Sequence, residues 1–223
     1  MTLDEVLGIA LLSLRVSLVS TALILLPGVF LGFVLARGRF AGRALLKAVV
    51  SLPIVLPPAA VGLCLLALLS RRSLLGAWLE ELLGGTILLT WWAAAAASAV
   101  MSFPLLVMGA EQGFRAVPRR VEQVAATLGA SRARVFRTVT LPLAARGILY
   151  GVVFAFARGL GEFGATTLVA GHIPGKTETL SLAIYARIEA FEDGQALVLS
   201  LVAVALALAF TAAAEVFLRA RPE

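Results

Sequence analysis

The chain has a single cysteine, Cys64, and a single histidine, His172. One thiol cannot form an internal disulfide, and the redox compartment is unreadable from it. His172 has no cysteine or carboxylate cluster spaced to share a metal ion with it. Neither HExxH nor GxSxG occurs, so the usual zinc and nucleophile-elbow routes to an intramembrane enzyme are missing. Charge is scarce, with Asp, Glu, Lys and Arg making up 14% of 223 residues. There is no low-complexity linker and no internal repeat, which points to one membrane domain over residues 1–223.

What the chain has in quantity is apolar sequence: 61% hydrophobic residues and a mean hydropathy of +0.99. Soluble domains stop at about half. A bilayer core needs roughly 20 mainly apolar residues, and five segments qualify, at about 13–36, 48–69, 86–109, 143–165 and 196–218. The fold class is therefore all-α integral membrane, a five-helix transmembrane bundle. Pro53, Pro57 and Pro58 remove amide donors from the second span and kink it. Asp4 and Glu5 stand where a signal peptide would carry basic residues, which argues against a cleaved leader.

Lysine and arginine total 19 against 13 acids, a formal net charge of +6. The excess is sorted by connection. Arg37, Arg39, Arg43 and Lys47 lie between the first two spans, seven arginines lie in 109–146, and Arg219 and Arg221 lie in the tail. The connections 70–85 and 171–195 hold six acids against four basic residues. The positive-inside rule then gives a multi-pass protein of the cytoplasmic (inner) membrane, with the N-terminus outside and the C-terminus cytoplasmic. The basic balance reports topology in a lipid bilayer, so nucleic acid need not be invoked. Trp91 and Trp92 read as aromatic-belt residues at the outer interface, and Arg15 as a snorkelling side chain.

The segment of about 111–142 is far longer than a connector requires, since connections in compact units are usually under about 8 residues. It is also patterned. Val121, Val124, Ala125 and Leu128 recur at i, i+3, i+4 and i+7, one apolar helix face, with Pro118 at its start and Gly129 at its stop. Ser131 suits the cap of a second short helix bearing Val135, Phe136 and Val139, and Pro142 is placed to open the next long helix. A helix-turn-helix displayed at the membrane surface is built to be gripped by something else.

Two nucleotide-like motifs fail on context. Gly159 to Gly164 matches GxGxxG, but the motif closes a membrane segment where a dinucleotide site needs a preceding strand. Its glycines read as a hinge or a close-packing point. Gly171 to Thr177 imitates a phosphate loop, with one residue too few between its glycines, a proline inside and an outer location. If ATP drives this chain, another subunit binds it. Arg158 and Glu162 are four apart on one helix, and read equally as a packing ion pair or as the wall of a polar route.

Glu122-Gln123-Val124-Ala125-Ala126-Thr127-Leu128-Gly129-Ala130-Ser131, followed by Phe136 and Leu141-Pro142, resembles the EAA signature of ABC-importer permease subunits. Gln123 stands where many members have glutamate, and Glu122 just precedes it. Phe156 to Ala165, Ile173 to Thr177, Leu52 to Pro58 and Met101 to Leu105 together are similar to molybdate-transporter permeases, a likeness running over about positions 10–218. Sulfate and thiosulfate permeases share much of it but are typically longer.

The resemblance implies the type I ABC importer permease fold with a cytoplasmic coupling helix. It implies translocation of molybdate or tungstate at a homodimer interface, with no cofactor and no catalysis by this chain. The implied partners are a second copy, two cytoplasmic ABC ATPase subunits and an extracytoplasmic oxyanion-binding protein. ATPase coupling falls on Glu122, Gln123, Val124, Ala125, Ala126, Leu128, Gly129 and Ala130. The translocation pathway or gate falls on Arg158, Glu162, Phe163 and Gly164. The alternatives are a sulfate/thiosulfate permease and a stand-alone secondary transporter; the latter commonly shows internal repeats, and none is seen.

Overall fold

A computed structural model describes residues 1–219, and all regular structure among them is helical. Helix α1, Leu3–Arg37, starts well before the expected residue 13. Thr2 and Glu5 form a capping box that satisfies the first amides. Hydropathy hides this turn because Asp4 and Glu5 are charged.

The second span departs most from expectation. Instead of one kinked helix over 48–69, the chain forms α2, Arg43–Val55, and α3, Pro58–Leu69, bent by 108°. Pro57 and Pro58 in succession supply no amide donor, so α2 cannot continue; Pro57 caps α3 and Pro58 opens it. Pro53 alone is absorbed inside α2. Helix α4, Leu74–Leu83, occupies a connection, with Ser73 Oγ accepting from Gly76 N at 2.8 Å.

Helix α5, Trp91–Ala116, begins after the expected residue 86 and runs past 109, so Glu111 to Ala116 belong to its last turns, with Glu111, Gly113 and Phe114 buried, and not to the surface segment. Then come α6, Arg119–Thr127, and α7, Arg132–Val135. The chain continues through a π-helical stretch, Phe136–Thr140, into α8, Leu141–Leu160. Pro142 thus lies inside one rod, Arg132–Leu160, and does not open a separate helix. Its missing amide falls where the ladder changes from π to α spacing.

Helix α8 stops at Leu160, short of the expected 165, and α9, Gly164–Ala170, follows a break. Helix α10, Leu180–Glu189, fills the connection after α9, and α11, Asp193–Arg219, covers the last expected span and leaves most of its surface uncovered. Arg221, which entered the topology argument, lies outside the described residues. By length and composition four helices can cross a membrane, or five if the bent pair is one span.

Helix α5 is the centre. Its alanines Ala93 to Ala97 let Val16 of α1, Val61 of α3 and Val169 of α9 pack closely. Further along, Gly109 and Gly113 of α5 face Gly147 and Gly151 of α8. A Cβ at Gly109 would lie 2.6 Å from Gly151 N, and one at Gly147 would lie 2.6 Å from Gly113 N. Backbone meets backbone, the geometry that GxxxG spacing permits between membrane helices. On α1, Gly28 and Gly32 admit Leu106 and Ala110 in the same way.

Gly147→Ala is expected to lower the thermal midpoint of the purified protein in detergent by several degrees, an overpacking cost of about 1–3 kcal/mol. Gly161→Ala, with nothing within 4 Å of its would-be Cβ, should leave the midpoint unchanged. The reverse ranking would contradict this packing.

Candidate functional site

The surface hairpin is held at its base and bare on top. Leu128 caps the C-terminus of α6, and Gly129 follows at φ +87°, a conformation that glycine adopts without strain. Gly129 N donates to Ala126 O at 3.0 Å and Ala130 N to Ala125 O at 3.1 Å, which closes the helix as a Schellman turn. Ser131 Oγ accepts from Arg134 N and caps α7.

The base is locked by rings and charge. Phe33 of α1, Phe114 of α5 and Phe136 of the π stretch form a triad, with centroids 5.1, 5.2 and 6.3 Å apart. Glu122 turns inward: Arg37 Nη2 donates to its Oε1 at 3.0 Å and Thr140 Oγ1 donates to the same oxygen at 2.7 Å. Arg37 also reaches the Val117 carbonyl at 3.1 Å.

The eight expected residues therefore divide between two faces. Gln123, Ala126 and Ala130, with Glu122 at the back, line a groove of about 740 Å³ between the two arms of the hairpin. Val124 (59% exposed) and Leu128 (83%) share an uncovered apolar row with Val121, while Ala125 is half-buried beneath it.

A second polar locus sits where α8 breaks. Arg158 Nη1 lies 2.6 Å from Glu162 Oε2, and the Glu162 side chain is only 1% exposed. Its other oxygen, Oε1, accepts from Ala165 N at 2.9 Å and so caps α9. One carboxylate thereby pairs with a half-buried arginine and satisfies a broken helix end. Gly164 abuts the Pro58 ring, and Gly62 abuts the Ala165 backbone, so the interruption after α8 packs on the bend between α2 and α3. Phe163 stacks near Tyr185 of α10 with centroids 4.9 Å apart. The Tyr185 phenol is held above its usual pKa, chiefly by its hydrogen bond to Glu189. Gly159 faces hydroxyls: its would-be Cβ lies 3.3 Å from Ser20 Oγ and 3.4 Å from Ser102 Oγ.

Three residues have partners that their sequence reading did not give. Arg15 does not simply snorkel, since its guanidinium carbon lies 3.9 Å from the Trp91 ring centroid as a cation–π pair. His172, for which the sequence offers no metal-sharing cluster, has Nε2 3.1 Å from Glu178 Oε1. Glu111, read as the edge of the surface segment, is buried against Arg43, Lys47 and Arg115. The glycine pairs at 109/113 and 147/151 were also passed over, although their four-residue spacing was a readable signal.

Comparison with known proteins gives a consistent picture. The family described as binding-protein-dependent transport system inner membrane component matches residues 28–221. The molybdenum transport system permease protein of Escherichia coli (strain K12) is 45% identical over 179 residues, 80% of this chain and 78% of that one. The sulfate transport system permease protein of Salmonella typhimurium (strain LT2) is 36% identical over 165 residues, 74% of this chain and 59% of that one. Among solved structures, an inward-facing form of the MetNI methionine ABC transporter superposes with a TM-score of 0.72 at 19% identity, covering 100% of both chains. At that identity the likeness is one of fold.

Glu122→Ala should free the inner edge of α6. Amides of residues 119–128 are expected to exchange with deuterium faster, while those of α5 keep their rate. Unchanged exchange over α6 would mean that the aromatic triad alone holds the hairpin.

Proposed function

Because the chain belongs to the family of binding-protein-dependent transport system inner membrane components, we propose that it is the permease subunit of an ATP-driven importer of molybdate or tungstate. The observation that carries the substrate reading is 45% identity to a molybdenum permease across 80% of the chain. Sulfate or thiosulfate is the second reading, favoured by the 36% identity to a sulfate permease.

In this reading two copies pair about a two-fold axis, and the polar route runs between them. Two ATPase subunits stand on the cytoplasmic side, and a binding protein delivers the oxyanion from outside. The chain itself contributes no catalytic residue. The hairpin is its handle: Val121, Val124 and Leu128 enter a groove on the ATPase, a helix-in-groove contact. Glu122, already bonded to Arg37 and Thr140, holds the handle to the bundle and leaves Gln123 as the polar anchor.

Displacement of α6 passes through the Phe33–Phe114–Phe136 triad to α1 and α5, and along the Arg132–Leu160 rod to the break at its far end. A rigid rod carries such a movement, whereas a floppy loop absorbs it. At the far end two helix interruptions pack on each other, the arrangement in which a bundle can hold two alternative packings. Pro53, Pro57 and Pro58 shape one interruption, and Arg158, Glu162, Phe163 and Gly164 the other. A divalent oxyanion is strongly hydrated, so a deep fixed-charge site would slow its release. Arg158, drawn back by Glu162, gives the weak attraction that passage needs.

The test is Leu128→Asp, placed on a fully accessible position so that folding is untouched. Co-purification of the ATPase subunit and uptake of radiolabelled molybdate by the reconstituted complex should both fall by about tenfold or more, the scale of a lost hot-spot contact. Wild-type coupling in this variant would remove the handle from the reading. Wild-type uptake suppressed by excess sulfate as strongly as by molybdate would favour the second substrate.

A further inference from the structure

Glu111 gathers more positive charge than it can neutralise. Its side chain is 4% exposed, yet Lys47 Nζ lies 3.0 Å from Oε2, with Arg115 Nη2 at 2.5 Å and Arg43 Nη2 at 3.6 Å from Oε1. Three cations against one carboxylate leave a surplus of two. Helix α2 adds to it, since it begins at Arg43 with no capping side chain and no acid in its first turn. The positive end of its dipole therefore joins the cluster. A buried carboxylate needs one good partner, and each further like charge raises the cost of assembling the group. An additional anion removes that cost.

The cluster borders an open cavity. A groove of about 340 Å³ runs between α2, α5 and α8, with Lys47, Glu111, Gln112 and Tyr150 as its polar lining. Gly109, Gly147 and Gly151 form part of its wall, where α5 and α8 meet. Lys47 is 48% exposed. An ammonium has three donors, and Glu111 is its one ion-pair partner among the described residues.

We propose that Arg43, Lys47 and Arg115, collected on Glu111, form a binding site for a tetrahedral oxyanion, with Gln112 and Tyr150 as neutral donors beside it. Two sources present that chemistry. One is the transported anion as it leaves the route, and this source rests on the importer reading above. The other is the phosphate of an anionic phospholipid of the same leaflet, whose acyl chain would follow the apolar part of the groove. That source does not depend on what is transported.

The experiment uses the complete transporter, wild type and the double variant Lys47→Gln/Arg43→Gln, which leaves Arg115 to pair Glu111. In one arm, phosphatidylglycerol retained by the assembly is counted by native mass spectrometry. In the other, uptake of radiolabelled molybdate is measured in vesicles of phosphatidylcholine alone, with ATP and loaded binding protein. The site requires a loss of about tenfold in at least one arm, the scale of removed charge-assisted hydrogen bonds. ATPase co-purification should be unchanged. Loss of lipid retention alone assigns the lipid phosphate; loss of uptake alone assigns the transported anion. A double variant equal to wild type in both arms overturns the site. If wild-type vesicles take up no molybdate, the importer reading fails, and the lipid arm still decides the site.

Discussion

The architecture depends on how closely α5 and α8 approach. Gly109, Gly113, Gly147 and Gly151 bring the two backbones into contact, which no residue with a Cβ allows at these positions. Lipid tails are as apolar as leucine, so membrane helices associate by close packing and hydrogen bonding more than by the hydrophobic effect. The same two helices are joined by the α6–α7 hairpin. A contact that fixes α5 against α8 therefore also fixes the platform from which the hairpin projects. The triad of Phe33, Phe114 and Phe136 and the Glu122 bonds extend that platform to α1. On that platform the hairpin's own apolar row, Val121, Val124 and Leu128, stays uncovered.

Three polar pairings tie elements of the bundle together. Ser13 Oγ donates to the Ile9 carbonyl and accepts from Leu180 N at 2.7 Å, which binds α1 to α10. Arg15 lies on Trp91 and binds α1 to α5. Glu162 serves Arg158 on one oxygen and the start of α9 on the other. Irregular backbone at such depth is tolerated only where it is buried in protein or faces a watery cavity. The two interruptions, at Leu56–Pro57 and at Gly161–Phe163, approach each other through Pro58 and Gly164, while Leu56, Pro57 and Gly161 stay exposed on the single chain. The Arg132–Leu160 rod is thus continuous, and the two helix interruptions lie together at its far end.

Much of this was legible in the sequence because its signals are local. Hydropathy located the apolar segments, and the i, i+3, i+4, i+7 pattern with Gly129 located α6. The family likeness rested on contiguous motifs and reached the right family. What stayed hidden depends on distant partners or opposing signals. Proline at 53, 57 and 58 announced a disturbance, but whether it bends a helix or splits it by 108° depends on what packs in the angle. Helix α10 was masked by the acids around it. Glu111 looked like a surface acid because its cations, Arg43 and Lys47, lie far away in sequence. Glu122 was assigned outward to a partner, and its engagement with Arg37 is an 85-residue contact.

The central claim is that a separate motor moves a paired bundle through α6. A spin label at exposed Arg120, in a background with Cys64 replaced, reports the distance between the two α6 helices of the assembled transporter. The account predicts one well-defined distance without nucleotide, and a shift of several ångströms when a non-hydrolysable ATP analogue closes the ATPases. A distance that stays the same with and without the analogue, in a preparation that sustains uptake, would contradict it.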